Sequence, residues 1–254
     1  MYKGYLIDLD GTAYRGTELI KETLEFVNKL HNNGIPYLFL TNNSTKTPEM
    51  VAQILKGFGY PVTENQVYTS SLATAQYVYE QKPDTNVYMI GEIGLRQALI
   101  EKKLTIVDDS DNVDYVIVGL DRKISYEKYA QACFAINNGA KLIVTNGDKA
   151  LPTEQGLMPG NGSMASVISH ATGVEPTFIG KPHATIMDKA LAIMGLPRHE
   201  VAMIGDNYFT DILAGIHAKM PTIYIEGGFS KRVDVLTYEK QPTHLLKNLS
   251  EFDI

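Results

Sequence analysis

The fold is decided by YLIDLDGTAYRG, residues 5–16, in which an apolar run leads directly into two acidic side chains. The run 5–7 is typical of a buried strand, and Asp8 and Asp10 follow it two positions apart. Because side chains two apart on a strand share a face, both carboxylates can point into the same space. An unpaired buried carboxylate is unfavourable, so the pair needs a metal ion, a base or contact with water. A surface turn rich in Asp and Gly is the alternative interpretation.

Similar short apolar runs recur along the chain and alternate with segments of helical spacing. The predicted strands are 5–7, 36–40, 86–90, 115–118, 141–144, 201–204 and 222–225. One predicted helix has an apolar face formed by Ile20, Leu24, Val27 and Leu30. Another begins at Pro48, after Thr47. This alternation predicts an α/β fold, with a parallel sheet covered by helices.

The periodicity of the sequence does not decide between two domain organisations. Two polar segments that contain proline, 80–86 and 173–182, bracket a region with strand and helix patterns of its own. An inserted domain and one continuous sheet explain this pattern equally well.

Composition excludes some classes of partner. The chain has 254 residues, of which 44% are hydrophobic and 20% charged, and its net charge is −6. An acidic chain without a long basic run is poorly suited to a nucleic-acid polymer. A small anionic ligand stays open, because a metal ion can reverse the field inside a cleft.

The single cysteine and the absence of long apolar runs indicate where in the cell the protein is expected. Cys133 cannot form an internal disulfide, and its helical context predicts a small core side chain. The sequence shows no signal-peptide anatomy and no apolar run of about 18 residues. We therefore expect a cytoplasmic protein with no membrane partner. Association into a homo-oligomer stays open.

Polar residues also follow the predicted strand 36–40, as they follow the first strand. Thr41, Asn42 and Asn43 offer hydroxyl, amide and backbone donors that suit the oxygens of a phosphate. A polar loop that caps the next helix is the alternative, because these residue types also serve that purpose.

Three charged residues in the last third of the chain complete the pattern. Lys181 precedes a predicted helix, where an anion is favoured, although a lone lysine is more often a solvated surface charge. Asp206 ends a core strand, as Asp8 does, and Asp211 follows at a helix start, where it could be only an N-cap. If these strands are neighbours in one parallel sheet, their polar ends converge at its carboxyl edge. Clustered carboxylates repel unless a cation joins them, and Mg²⁺ accepts carboxylates, water and phosphate together.

These motifs resemble those of the haloacid dehalogenase (HAD) superfamily. Residues 8–12, DLDGT, resemble its first motif, Thr41 its second, Lys181 its third and GDNYFTD (205–211) its fourth. LDGT, FLTNNS, IGKP and TDILAG are similar to segments of the NagD-like phosphatases. The resemblance covers almost the whole chain.

The resemblance implies a fold and domain limits. It implies a Rossmann-like parallel-sheet HAD core formed by 1–80 plus 179–254, with an inserted α/β cap domain at 81–178. The segment 145–163 looks like the cap of the NagD-like subfamily.

The resemblance also implies roles for individual residues. Asp8 is expected to be the nucleophile that forms an aspartyl-phosphate, and Asp10 the acid and base, with Thr41 and Lys181 also catalytic. The residues expected to hold the phosphate are Gly11, Thr41, Asn42, Asn43, Lys181 and Asn207. The residues expected to bind Mg²⁺ or support it are Asp8, Asp10, Asp206 and Asp211. The cap residues expected to set specificity are Asp121, Arg122, Asn146, Asp148 and Leu151.

The implied function is a Mg²⁺-dependent phosphatase for small phosphorylated metabolites: sugar or acid-sugar phosphates, or nucleoside monophosphates. Arg122 would favour an acidic substrate unless it only faces solvent. A receiver-type signalling module and a phosphomutase are the alternatives. A receiver needs neither a second acid at Asp10 nor a cap. A dehalogenase is disfavoured because it needs no metal.

Overall fold

The computed structural model describes residues 1–153 and 155–254. Its strands are β1 (Gly4–Ile7), β2 (Tyr14–Arg15), β3 (Glu18–Leu19), β4 (Tyr37–Thr41), β5 (Val67–Thr69), β6 (Asn86–Ile90), β7 (Thr105–Val107), β8 (Tyr115–Val118), β9 (Lys141–Val144), β10 (Ala150–Thr153), β11 (Gly156–Pro159), β12 (Thr177–Phe178), β13 (Val201–Gly205), β14 (Thr222–Ile225) and β15 (His244–Leu246). Each predicted strand is present, and its limits differ from the predicted ones by at most one residue.

Helices separate most of the strands. They are α1 (Lys21–Asn32), α2 (Pro48–Gly57), α3 (Ser70–Gln81), α4 (Ile93–Glu101), α5 (Tyr126–Asn137), α6 (Asn161–Thr172), α7 (Ala184–Met194), α8 (Leu213–His217) and α9 (Arg232–Val235). In the described part of the chain, no helix combines the length and the apolar character needed to cross a membrane.

The chain divides into two compact units. The first comprises Met1–Thr41, Pro48–Tyr68 and Lys181–Ile254, and the second comprises Asn42–Thr47 and Thr69–Gly180. These limits do not coincide with the predicted domain limits, because 42–47 and 69–80 pack with the second unit. Within that unit, Ser70 Oγ donates to the carbonyl of Asn42 and Ser71 Oγ to that of Ser44. The limits of the cap as a domain therefore stay a prediction.

The first unit contains a six-stranded sheet in the order β15–β14–β13–β1–β4–β5. The neighbours from β15 to β4 pair in parallel, and Ile7 of β1 lies in register with both Ile204 and Phe39. Since β13, β1 and β4 are adjacent and parallel, the residues that follow them meet at one edge of the sheet.

Apolar side chains from α1 pack on this sheet, as its periodicity predicts. Val27 and Leu30 are fully buried, Leu24 is half-buried, and Tyr5 makes an edge-to-face contact with Phe26 at 5.2 Å between ring centroids. Such burial contributes roughly 1.5–3 kcal/mol for each large apolar side chain, so the helix is held mainly by packing. Helix α2 begins at Pro48, again as predicted.

The second unit contains a five-stranded parallel sheet in the order β12–β9–β8–β6–β7. Its core includes Ile90, Val118 and Ala135, and Cys133 packs against it partly buried. Burial raises the pKa of the Cys133 thiol, which agrees with the predicted structural role of this side chain.

Asp114 ties several segments together at the amino-terminal edge of this second sheet. Its carboxylate accepts hydrogen bonds from Thr85 Oγ1 at 2.8 Å, from Asn86 N at 3.0 Å and from Lys82 Nζ at 2.6 Å. Burial opposes the charged form, yet these donors hold the pKa of Asp114 below its ordinary value. The folded state therefore favours the ionised carboxylate.

We predict that Asp114→Asn lowers the free energy of unfolding by about 1 kcal/mol at pH 7, because the charge-assisted bonds are lost and the site is partly exposed. A depressed folded pKa stabilises the protein above the unfolded pKa, which is about 4 for Asp, and this stabilisation is lost as the pH falls through the folded pKa. The difference between wild type and variant should therefore shrink below about pH 4. Urea unfolding of the full chain as a function of pH measures both effects.

Asp84→Asn is the matched control, because Asp84 is an exposed aspartate in the same connection between α3 and β6. Its substitution should change the free energy of unfolding by less than about 0.5 kcal/mol. An equal effect of the two substitutions would contradict the role given to Asp114.

Candidate active site

Three neighbouring strands of the first unit deliver polar side chains to the same edge of the sheet. Asp8 follows β1, Thr41 ends β4, and Asp206 follows β13. All three are buried, and the backbone N–H of Asp8 donates to the carbonyl of Ile204 at 3.0 Å. The predicted convergence of strand-terminal residues is thus observed.

Lys181 lies at the centre of this group. Its Nζ donates to Asp8 Oδ1 at 2.5 Å, to Asp211 Oδ1 at 2.7 Å and to the carbonyl of Leu40 at 3.1 Å. The lysine side chain is only 2% exposed. The alternative interpretation of Lys181 as a solvated surface charge is therefore wrong.

Burial and charge oppose one another in this pair. Burial raises the pKa of Asp8 well above its ordinary value, and Asp211 and Asp206 add to this effect while Lys181 counteracts it. Burial by itself would lower the pKa of Lys181, but the nearby carboxylates of Asp211 and Asp8 raise it above its ordinary value. Lys181 thus stays protonated, and it compensates part of the repulsion among the carboxylates.

Asp206 is held by donors from both sides. Thr12 Oγ1 donates to its Oδ1 at 3.1 Å, and the backbone N–H of Phe229 donates to its Oδ2 at 2.5 Å. A Cβ on either Gly11 or Gly228 would overlap the carboxylate, so both positions need glycine. Burial, with the charge of Asp211, raises the pKa of Asp206 to about 6, although the two donors oppose this.

Asp211 lies in the first turn of a short π-helical segment, Tyr208–Ile212, whose N-cap is Asn207. Its Oδ2 accepts from the backbone N–H of Asn207 at 3.0 Å, while its Oδ1 accepts from Lys181. Asn207 caps the turn, because its Oδ1 accepts from the N–H of Phe209 at 3.0 Å. The N-cap interpretation of Asp211 is therefore wrong.

The acidic residues form a group with the chemistry of a magnesium site. One carboxylate oxygen from each of Asp8, Asp206 and Asp211 lies within 4.8 Å of the others, and all three residues are buried. Carboxylate oxygens are the ligands that Mg²⁺ uses in proteins, so the donor set fits this ion. Asp10 has an exposed side chain and is not part of this group. The roles of Asp10 in metal binding and in proton transfer stay predictions.

The predicted phosphate-binding residues of the first unit lie next to this group. Thr41 is only 3% exposed, and Gly11 has φ +93°, a conformation that favours glycine. Asn207 uses its backbone N–H on Asp211 and its side-chain oxygen on Phe209. Phosphate binding by Asn207 stays a prediction.

Asn42 and Asn43 belong to the second unit. Asn42 Nδ2 lies 3.3 Å from Asp148 Oδ1, and the Asn42 carbonyl accepts from Asn146 Nδ2 at 2.8 Å. Asn43 Oδ1 accepts from the N–H and the hydroxyl of Thr45, which closes a local turn. Phosphate binding by these two residues stays a prediction.

Two of the predicted specificity residues form ion pairs within the second unit. Arg122 makes a bidentate pair with Glu92, through Nε at 2.8 Å and Nη2 at 2.6 Å. Asp121 is buried and accepts from Lys128 Nζ at 2.5 Å and from the Lys123 N–H. Because Glu92 already neutralises Arg122, the guanidinium provides less support for an acidic substrate than its sequence position suggests.

The other three specificity candidates lie in the segment that follows β9, two of them before β10 and one within it. Asn146 Oδ1 accepts from the N–H of Asp148 at 3.1 Å, which closes a local turn, and Asn146 Nδ2 donates to the carbonyl of Asn42. Leu151 lies in β10 and is partly exposed. The structure therefore gives Asn146 and Asp148 local bonding partners, and their contact with substrate stays a prediction.

Sequence reasoning did not single out Thr12 and Phe229 as separate elements of the site. Thr12 stands inside the DLDGT motif, and the pair Gly227–Gly228 follows the predicted strand 222–225. Paired glycines at the carboxyl end of a core strand were the available signal for a close approach. Phe229 acts through its backbone N–H, which every residue except proline has. Its bond to Asp206 therefore could not be predicted from the residue type.

Two family descriptions match this chain. Residues 5–105 match the haloacid dehalogenase-like hydrolases, and residues 178–252 match a family described as HAD-hydrolase-like. The two matched segments include Asp8, Lys181 and Asp206.

Individual relatives match over nearly the whole length. The 5'-nucleotidase YutF of Bacillus subtilis (strain 168) is 53% identical over 251 residues, which cover 99% of this chain and 97% of that protein. An acid sugar phosphatase of Staphylococcus epidermidis is 49% identical over 249 residues, or 98% and 96% of the two chains. The solved structure of a mutant thermostable p-nitrophenylphosphatase from Bacillus stearothermophilus has a TM-score of 0.91 and 52% identity, and the match covers 99% and 98% of the two chains. The chain therefore belongs to the haloacid dehalogenase-like hydrolases, in the NagD-like subfamily.

Proposed function

We propose that the chain is a Mg²⁺-dependent phosphatase that hydrolyses small phosphorylated metabolites through an aspartyl-phosphate. The observation that carries this proposal is the buried ammonium of Lys181 between Asp8 and Asp211, with Asp206 beside them at the carboxyl edge of the sheet. The names of the relatives, which are phosphatases and a 5'-nucleotidase, support the same reaction class.

Asp8 is the proposed nucleophile. Lys181 Nζ donates to Asp8 Oδ1, and Asp8 Oδ2 is the oxygen proposed to attack phosphorus. The new Oδ2–P bond forms as the bond from phosphorus to the leaving alkoxide oxygen breaks, which leaves a phosphorylated Asp8. A carboxylate that approaches a phosphate dianion meets strong repulsion, and the ammonium of Lys181 offsets part of it.

Asp10 is the proposed acid and base. It would give its proton to the leaving oxygen in the first half of the reaction. In the second half it would take a proton from the water that attacks the phosphorylated Asp8, which releases inorganic phosphate. Its exposed position allows proton exchange with solvent between the two halves.

Asp8, Asp206 and Asp211 are the residues proposed to hold or support the Mg²⁺ ion, together with the backbone carbonyl of Asp10. When bound, Mg²⁺ supplies positive charge that neutralises the phosphoryl oxygens. The three carboxylates carry more negative charge than Lys181 can balance, which is why a divalent cation suits the site.

The substrate class proposed is that of small phosphate monoesters, such as sugar or acid-sugar phosphates and nucleoside monophosphates. The relatives are named for acid sugars in one case and for 5'-nucleotides in another. The pairing of Arg122 with Glu92 removes one reason to prefer an acidic substrate. A panel of these phosphates, assayed with Mg²⁺, ranks them directly by kcat/KM. We also propose a cytoplasmic location, since such metabolites occur there.

We predict that Asp8→Asn lowers the turnover of p-nitrophenyl phosphate by at least about 10⁴-fold, because an amide cannot form the covalent intermediate. The variant should fold and should be at least as stable as the wild type without added metal, because one of three mutually repelling carboxylates is removed. Steady-state assays and thermal unfolding measure the two effects. Residual activity near the wild-type level would remove Asp8 from the mechanism.

We predict that Asp10→Asn slows hydrolysis of the intermediate by about 10²–10⁴-fold, because the attacking water loses its base. The p-nitrophenolate anion leaves without needing a proton, so the first half of the reaction should continue. Rapid mixing should show a burst of about one equivalent of p-nitrophenolate, and mass spectrometry of the acid-quenched protein should detect the added phosphate. An active wild type together with a variant that shows neither signal would contradict this assignment.

Removal of the metal gives a further prediction. Treatment with a chelator should lower the turnover of p-nitrophenyl phosphate by at least about 100-fold, and Mg²⁺ should restore it, whereas Na⁺ at equal ionic strength should not. Continuous turnover with Mg²⁺ also separates a phosphatase from a receiver-type module, which would stop after about one turnover. Transfer of the phosphate to a second sugar hydroxyl, instead of to water, would indicate a phosphomutase.

A further inference from the structure

Both oxygens of the Asp206 carboxylate are engaged by separate donors. Thr12 Oγ1 bonds Oδ1 at 3.1 Å, and the Phe229 N–H bonds Oδ2 at 2.5 Å. A carboxylate can accept about four hydrogen bonds or metal contacts, so positions for a cation remain on both oxygens. With one donor on each oxygen, the plane and direction of the carboxylate are fixed.

The topology of the sheet explains where the two donors come from. Strand β13, which ends at Asp206, lies between β1 and β14. Thr12 belongs to the loop that follows β1, and Phe229 to the loop that follows β14. The carboxylate is therefore held from each of the neighbouring strands, independently of the ion pair that Lys181 makes with Asp8 and Asp211.

Thr12 is built into the fold in a way that directs its hydroxyl to Asp206. The residue is fully buried, its N–H donates to the carbonyl of Leu9 at 3.1 Å, and its own carbonyl accepts from Thr23 Oγ1 at 2.7 Å. The backbone of Thr12 is thus anchored on both sides. On the opposite side of the carboxylate, Gly228 lies so close to Asp206 that no Cβ could be accommodated.

We propose that Thr12 and the Gly228–Phe229 turn are positioning elements that set the affinity of Asp206 for a divalent cation. The inference rests on the proposed function, because it assigns Asp206 to the metal site. The two donors hold the Asp206 carboxylate in one orientation, and they need not touch the substrate. Loss of a comparable supporting contact at other metal sites lowers metal affinity by about 10–100-fold.

The position of Thr12 behind Asp206 predicts which quantities change. Its removal should raise the Mg²⁺ concentration required for half-maximal activity and should leave KM for p-nitrophenyl phosphate nearly unchanged. Saturating Mg²⁺ should restore most of kcat, because the nucleophile Asp8 and its partner Lys181 are untouched.

The test compares three variants of the full chain. Thr12→Val keeps the shape of the side chain and removes the hydroxyl, and Thr12→Ser keeps the hydroxyl. Thr222→Val is the matched control, because it removes a buried hydroxyl of the same unit that accepts from the Thr243 N–H and has no bond to Thr12 or Asp206. Mg²⁺ alone is titrated by calorimetry without substrate, and its effect on the unfolding temperature is measured in parallel.

Thr12→Val should bind Mg²⁺ about 10–100-fold more weakly, whereas Thr12→Ser and Thr222→Val should bind it within about threefold of the wild type. Equal Mg²⁺ affinity of Thr12→Val and wild type would overturn the inference, as would an equal loss in Thr222→Val. If Thr12→Val does not fold, Thr12→Ala takes its place, because it also removes the hydroxyl and should weaken Mg²⁺ binding similarly. An inactive wild type that binds no Mg²⁺ would instead refute the proposed function, so the two failures are distinguishable.

Discussion

An ammonium group buried among three carboxylates is the constraint on which the first unit depends. Lys181 contacts Asp8 and Asp211 directly, and Asp206 lies in the same group. In such surroundings each charge is unfavourable without partners of opposite sign, and Lys181 is the cation that the carboxylates share. The group therefore holds the strand ends at fixed positions, and it also concentrates negative charge where a cation can be bound.

The sheet order makes this group possible. Because β14, β13, β1 and β4 are neighbours, residues from both ends of the chain reach one edge without long loops. Buried strands on both sides supply rigid backbone, and glycines at positions 11 and 228 allow it to approach Asp206 closely. The reactive carboxylates are thus carried by the most rigid part of the unit, while Asp10, the residue proposed to exchange protons with water, is exposed.

The sequence predicted those parts of the fold and the site that depend on side-chain type at a regular spacing. The sequence locates strand runs of three to five mostly apolar residues to within one residue, and it places the acids that follow them at one edge. Strands such as β5 and β7 are missed because each is three residues long and includes a threonine, so no apolar run stands out. The partner of Arg122 was also missed, since Glu92 is distant in sequence and only the folded second unit brings the two together.

The order of the strands has a consequence for how the polypeptide is made. β1 leaves the ribosome before β13, its neighbour in the sheet, because the whole second unit is synthesised between them. Tyr5, Leu6 and Ile7 therefore lack one of their two flanking strands during that time. The second unit occupies an almost continuous stretch and can mature while the nascent chain is still growing. Until residue 205 emerges, the amino-terminal strand keeps an unpaired edge and an apolar surface, which are the features that chaperones shield.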